Sequence, residues 1–232
     1  MFVLAETCPF QLQSSNAPLE ETVMVDFEAL ITHFGPQAVE LQLSEAEADK
    51  PALAAIRKNA EPASGRVEQV RSWLLSYKVF QGIDSLKRTA ITEAVLRWAD
   101  CQDDQRNLRA HDALVEAHQE LAGRCSIAYG SRREFTSLAS KALWLRYPDT
   151  VPLFDSFARR ALWVIGKIER DIAPPAHQKS EYGKFTYAWK ILYERYASTM
   201  AGLDTKGYPY RVRIFDKILW IIGTPDYTYP PP

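Results

Sequence analysis

At 232 residues, the chain is long enough for one well-buried helical domain, alone or with a small N-terminal extension, and too short for two large independent ones. Its 47% hydrophobic and 25% charged content excludes a disordered or collagen-like chain; no apolar run approaches the roughly 18 residues of a membrane span, and no basic stretch opens the sequence as it would a secretion signal, so a cytoplasmic protein without a membrane partner is expected. The net charge of −1 hides an asymmetry: 1–65 hold 10 acidic against 3 basic residues and 66–232 hold 19 against 25, a mildly basic balance over the last three quarters that suits an anionic partner.

Residues 1–65, punctuated by Pro9, Pro18, Pro36, Pro51 and Pro62, read as an N-terminal extension or subdomain, with a short strand over 23–27 and helical pieces at 26–34 or 45–59. From Arg66 the apolar spacing turns helical. Val67, Val70, Trp73 and Leu74 fall on i, i+3, i+4 rows, as do Ile91, Ala94, Val95 and Trp98, with Gly82 and Asp84 between the two. Leu114, Ala117 and Leu121 predict a helix over 105–122, ended by Gly123; further helices are predicted at 136–147, 155–172, 177–199 and 210–222, most of them closed by proline or glycine. The last of these reads as an amphipathic helix docked on the core, with Asp216 able to reach a site. The expected fold class is therefore mainly α, with a helical domain over 66–232.

Several chemistries find no support in the residue pattern. Cys8, Cys101 and Cys125 are odd in number and widely spaced, matching neither a disulfide framework nor a zinc or iron–sulfur site. His111 and His118 lie two turns apart on one helix, roughly 10 Å, which is too far for two helical ligands of one ion. Adjacent acids such as Asp103-Asp104 have diverging side chains and make no glycosidase-style pair. No glycine-rich phosphate loop occurs, so neither metal, nucleotide nor other cofactor is expected.

The informative stretch runs from Ser137 to Leu162: a helix ended by Pro148, a loop containing Pro152, and a second helix opening at Asp155. Aspartate at a helix start accepts the free amides of the first turn and meets the positive end of the dipole, which keeps it ionised and fixed in direction. The same carboxylate can stabilise a cationic transition state or orient a water. Asp155 thus has two readings, helix cap and catalytic group. Lys141 also has two, solvated helix residue or a cation that holds a phosphate or activates water.

The segment Pro152-Leu-Phe-Asp155-Ser-Phe-Ala-Arg159-Arg160 resembles the active-site segment of the helix-hairpin-helix DNA glycosylases, in which a proline-containing turn leads to an aspartate and a basic helix. The resemblance covers 133–162 and implies a helical fold that bends duplex DNA, flips a damaged or modified base and cleaves its N-glycosidic bond. It places Asp155 opposite the oxocarbenium-like sugar, with Lys141 as the nearest lysine. Two features depart from the family. The hairpin Gly130-Ser-Arg-Arg-Glu-Phe-Thr136 has one glycine and two arginines instead of a Gly-x-Gly turn, leaving phosphate contact to Arg132, Arg133 and the helix start at Ser137 and Ser140, joined by Arg159 and Arg160. The lysine that backbone-cutting members carry just after the hairpin is replaced by Thr136 and Ser137, which favours a monofunctional enzyme with water as nucleophile. Tyr129, Phe135 and Trp144 are the expected base-pocket aromatics. The altered hairpin fits either repair of damaged DNA or defence against phage DNA with modified bases. The alternative is a non-catalytic DNA-binding or protein-interaction module of the same fold.

Overall fold

A computed structural model describes residues 26–57, 63–103, 106–168 and 170–225. Nine α-helices and one 3₁₀ turn make up the regular structure of these residues, and no strand occurs among them. The mainly α expectation holds, and no helix among the described residues is long and apolar enough to cross a membrane.

Helix α1 (Phe27–Ile56) opens on Asp26, whose carboxylate accepts the Glu28 amide, and contains both Pro36 and Pro51. Each proline removes an intrahelical hydrogen bond. The helix nevertheless continues through them because it buries a row from Phe27, Ile31 and Phe34 to Ala52 and Ile56 against α2 (Ala63–Ser76), α5 (Thr136–Arg146) and α9 (Arg211–Gly223). Two sequence expectations change here. The two helical pieces are one helix, and the apolar side chains of 27–56 belong to the same core as those of the later helices. Phe27 is helical, not extended; the rest of the expected strand, 23–25, lies outside the described residues.

Helix α3 (Ser85–Asp100) starts at Asp84, which accepts the Lys87 amide. Helix α4 (His111–Tyr129) begins six residues after the expected start at 105 and runs past Gly123 to Gly130, whose φ of 82° is the left-handed conformation that ends a helix. Gly123 costs about 1 kcal/mol in mid-helix, but buried Leu121 and Cys125 on either side carry the packing row across it. Helix α5 is core throughout: 138–145 are all buried. Tyr147 closes it, because the residue before a proline avoids helical geometry.

Helix α6 (Ser156–Ile168) is followed by the 3₁₀ turn Arg170–Ile172, and the single helix expected over 177–199 is divided into α7 (Glu181–Arg195) and α8 (Ala197–Gly202) at Tyr196. Ser180 caps α7 by accepting the Gly183 amide. Helices α6 and α9 meet closely: a side chain at Gly223 would put its Cβ 1.8 Å from the Phe157 carbonyl oxygen. That approach brings the first turn of α6, and Asp155 before it, onto α9.

Candidate active site at the junction of α5 and α6

Ser137, Ser140 and Lys141 share one face of α5 by their i, i+3, i+4 spacing. Together they grip the backbone of Phe154. Ser140 Oγ accepts the Phe154 amide (3.1 Å) and donates to the Ser137 carbonyl (3.0 Å). Lys141 Nζ donates to the Phe154 carbonyl (3.1 Å) and to Ser137 Oγ (2.8 Å), and that hydroxyl in turn donates to the same carbonyl (3.4 Å). One residue earlier, the Leu153 amide donates to Asp216 Oδ2 (2.9 Å), and before that Tyr182 Oη donates to the Pro152 carbonyl (3.3 Å). The backbone of 152–154 is thus held residue by residue from three helices. Asp155 follows directly, with Oδ1 accepting the Phe157 amide (2.8 Å) as the cap of α6, while Oδ2 has no partner among the described residues.

Asp155 and Lys141 line one cavity of about 80 Å³, together with Tyr77, Arg213, Asp216 and Lys217. Lys141 is 3% exposed. Burial, reinforced by the Arg213 cation, lowers its ammonium to a pKa of about 8 against the pull of Asp155 and Asp216. Asp216, 3% exposed, accepts Trp189 Nε1 (2.7 Å) besides the Leu153 amide. Burial pushes its carboxyl up to about 7 in spite of those donors and of Arg213. The Arg213 guanidinium reaches Tyr77 Oη (2.5 Å) and Glu45 (3.2 Å), and Lys217 reaches Glu45 (2.7 Å). Lys141 and Arg213 both approach the Tyr77 ring, at 5.6 and 5.5 Å from its centroid, within cation–π range. Burial also pushes the Tyr77 phenol up to about 12.

Such a cavity has defined chemical capacities. A buried amine titrating near 8 is partly neutral at physiological pH and can accept a proton or attack a carbon centre. A capped carboxylate with one free oxygen can face a developing cation without reorganising. Three cations and two carboxylates around so small a volume, room for about two or three waters, favour polar guests over apolar ones.

The remaining predicted residues are distributed differently. Ser140, expected at a phosphate, is fully buried and holds the Phe154 amide. Trp144 is also fully buried, stacked on Trp73 at 5.7 Å, and Phe135 is 3% exposed; both are occupied by core packing, and neither lines the cavity. Tyr129 is half-buried in a separate cluster at the α4–α5 turn, edge-on to Phe135 and capped by Lys87 at 4.5 Å. Arg133 lies over the same two rings and donates to the Gln81 carbonyl, while Arg132 is exposed. Arg159 and Arg160 are exposed and line a different, larger groove. Ser137 is half-buried and committed to Lys141. The structure therefore brings together Lys141, Ser137 and Asp155 and leaves the arginines at two surface positions.

Tyr77, Arg213 and Lys217 were not anticipated. The signal for the last two is the charge spacing of α9: Arg213, Asp216 and Lys217 recur at i, i+3, i+4 in a helix whose residues after Arg211 are otherwise apolar, which marks a buried polar stripe rather than a solvated face. His118 takes a structural role, its Nε2 paired with the Thr136 carbonyl (2.9 Å) and its ring stacked on Tyr182 at 3.8 Å. No group of three or more His, Cys, Asp or Glu side chains among the described residues is placed to hold a metal ion. Comparison of the chain with protein-family models, with curated proteins and with solved structures gives no match.

Proposed function

We propose that the chain is a DNA N-glycosylase that releases a damaged or modified base by hydrolysis, with Asp155 as the catalytic carboxylate and Lys141 as its partner. The observation that carries this reading is the convergence of these two residues, from different elements, on one small polar cavity. The reaction needs little more. As the C1′–N bond breaks, the electron pair leaves with the base and the sugar becomes cationic; the carboxylate of Asp155 faces that charge. Water adds to C1′, and its proton passes to the neutral fraction of the Lys141 amine or to the departing base. The substrate is duplex DNA with one nucleotide flipped out of the stack, approached through the exposed Arg132 and the basic face of α6. Repair and defence against modified phage DNA use the same chemistry and differ only in the base.

One observation favours a second reading, a DNA-binding module without chemistry: an 80 Å³ cavity is smaller than a nucleobase. For the enzyme, the base must sit at the mouth, displacing Trp220, which is 36% exposed there. The test is base release from a panel of normal, damaged and hypermodified duplexes, followed by alkaline cleavage at abasic sites, for the wild type and Asp155→Asn. Release by the wild type alone supports the enzyme. Duplex binding by both chains with no release from any DNA supports the module.

A further inference from the structure

A groove of about 710 Å³ runs along α6 and shares no lining residue with the cavity. Its floor is apolar, made by Leu162, Ile172 and Phe185, and its rim carries Arg159, Arg160, Lys167 and Lys184 against one carboxylate, Glu181. Glu181 pairs with Arg159 (3.4 Å) and Lys184 (3.0 Å). Arg160 and Lys167 have no ion-pair partner among the described residues, so an excess of positive charge faces solvent. Trp163 stands in the groove 63% exposed, an unusual position for the most costly side chain to leave in water. The Lys167 ammonium lies 3.6 Å from the centre of its ring.

An apolar trough with a cationic rim and one exposed indole combines the two features that hold unpaired nucleic acid, a platform on which a base stacks and charges that track the backbone. The local exchange is balanced. A base that stacks on Trp163 displaces Lys167 from the ring, and the phosphate beside that base gives the ammonium a new partner. From Ser156 to Lys167 the groove extends about 16 Å along the helix axis, roughly five nucleotides at stacked spacing. It begins at the residue after Asp155.

We propose that this groove binds single-stranded DNA, the unpaired flank of the strand whose nucleotide is presented to Asp155; the identity of that strand rests on the glycosylase reading, while the binding itself does not. An acidic peptide matches the charge, but its Asp and Glu side chains carry no aromatic ring to stack on the indole.

The test uses the full chain and a labelled deoxythymidine decamer, followed by fluorescence anisotropy at about 50 mM salt, with an oligoglutamate of equal charge as competitor. Trp163→Ala is expected to weaken decamer binding about ten-fold. Lys167→Ala is expected to lower the salt dependence by about one phosphate contact. Both positions are exposed, and circular dichroism of each variant should match the wild type. No decamer binding, or equal binding by Trp163→Ala, overturns the proposal; displacement by oligoglutamate at matched charge reassigns the groove to an acidic protein and overturns it too. Trp163-dependent decamer binding by a chain that releases no base leaves the groove standing and defeats the glycosylase reading. Base release with Trp163-independent binding does the reverse.

Discussion

Asp155 serves as the cap of α6 and, in the proposed reaction, as the charge opposite the sugar, and substitutions can separate these roles. Asparagine and serine cap helices about as well as aspartate. Each would keep the oxygen that accepts the Phe157 amide and lose only the charge at the helix N-terminus, worth about 0.3–1 kcal/mol. Alanine loses the cap as well, typically about 1 kcal/mol more. For a chain of this length each kcal/mol moves Tm by about 2–4 °C. Asp155→Asn and Asp155→Ser should therefore melt within about 1–4 °C of the wild type, and Asp155→Ala about 3–8 °C below it. Activity should follow a different order. Removing a preorganised electrostatic group costs on the order of 10²–10³ in turnover, so all three variants should lose base release alike. Differential scanning calorimetry and single-turnover base release on the same preparations give both series. If Asp155→Ser keeps base release, or if the loss follows the loss of Tm, the carboxylate is a cap and the catalytic assignment is refuted.

Three further outcomes follow from the same geometry. Lys141→Met should leave Tm unchanged or raised, because it removes a desolvated ammonium whose pKa burial has lowered to about 8 and leaves the Phe154 carbonyl bonded to Ser137 Oγ; base release should fall at least 10²-fold on the scale of a lost acid–base group, and a Tm drop above about 5 °C would assign Lys141 to structure instead. His118 is held neutral by burial, with its pKa lowered from 6.5 to about 4. The unfolded chain therefore takes up a proton that the folded chain refuses as pH falls from 6.5 towards 4, so stability should decline by up to about 3 kcal/mol across that window and level off below it; urea titrations of the wild type and His118→Gln check this, the variant lacking that component. Gly223→Ala forces a Cβ onto the Phe157 carbonyl and should cost at least about 3 kcal/mol as an overpacked contact, whereas Gly202→Ala, with nothing within 4 Å, should be neutral or slightly stabilising; equal Tm values for the two would mean that α6 and α9 do not meet as described.

The helical class was legible because burial leaves a 3.6-residue imprint: the apolar rows at 67–74 and 91–98 lie inside α2 and α3, and α5 and α9 fall within a residue or two of their predicted bounds. Errors arose where a local signal met tertiary packing. Pro36 and Pro51 read as breaks, yet α1 buries enough apolar surface on α2 and α9 to continue through them, and Gly123 read as a stop for the same reason. The site was half legible. Asp155 announces itself through the proline turn and the cap position, both local in sequence. Lys141 was visible only as the nearest lysine, because a buried amine and a solvated one look alike on a helix until its neighbours are known. The aromatics failed as pocket residues for the converse reason: composition counts indoles but does not reveal that Trp144 spends its face on Trp73.

The placement of charge gives the cavity its meaning. Apolar residues of similar volume at Lys141, Arg213 and Asp216 would leave fewer groups to desolvate, and replacing buried ionic clusters in that way is often neutral or stabilising by about 1–4 kcal/mol. Retaining three cations and two carboxylates around a space this small therefore costs stability that packing does not recover. The arrangement is also directional. Asp216 fixes the Leu153 amide, Ser140 and Lys141 fix the two backbone groups of Phe154, and the next residue is Asp155. A cap alone requires none of this, since a capping carboxylate needs only the first-turn amides of its own helix. Polar supports from α5 and α9 converging on the residues before one carboxylate, beside an amine poised near neutrality, are what a site needs to hold a reacting group to within about half an ångström.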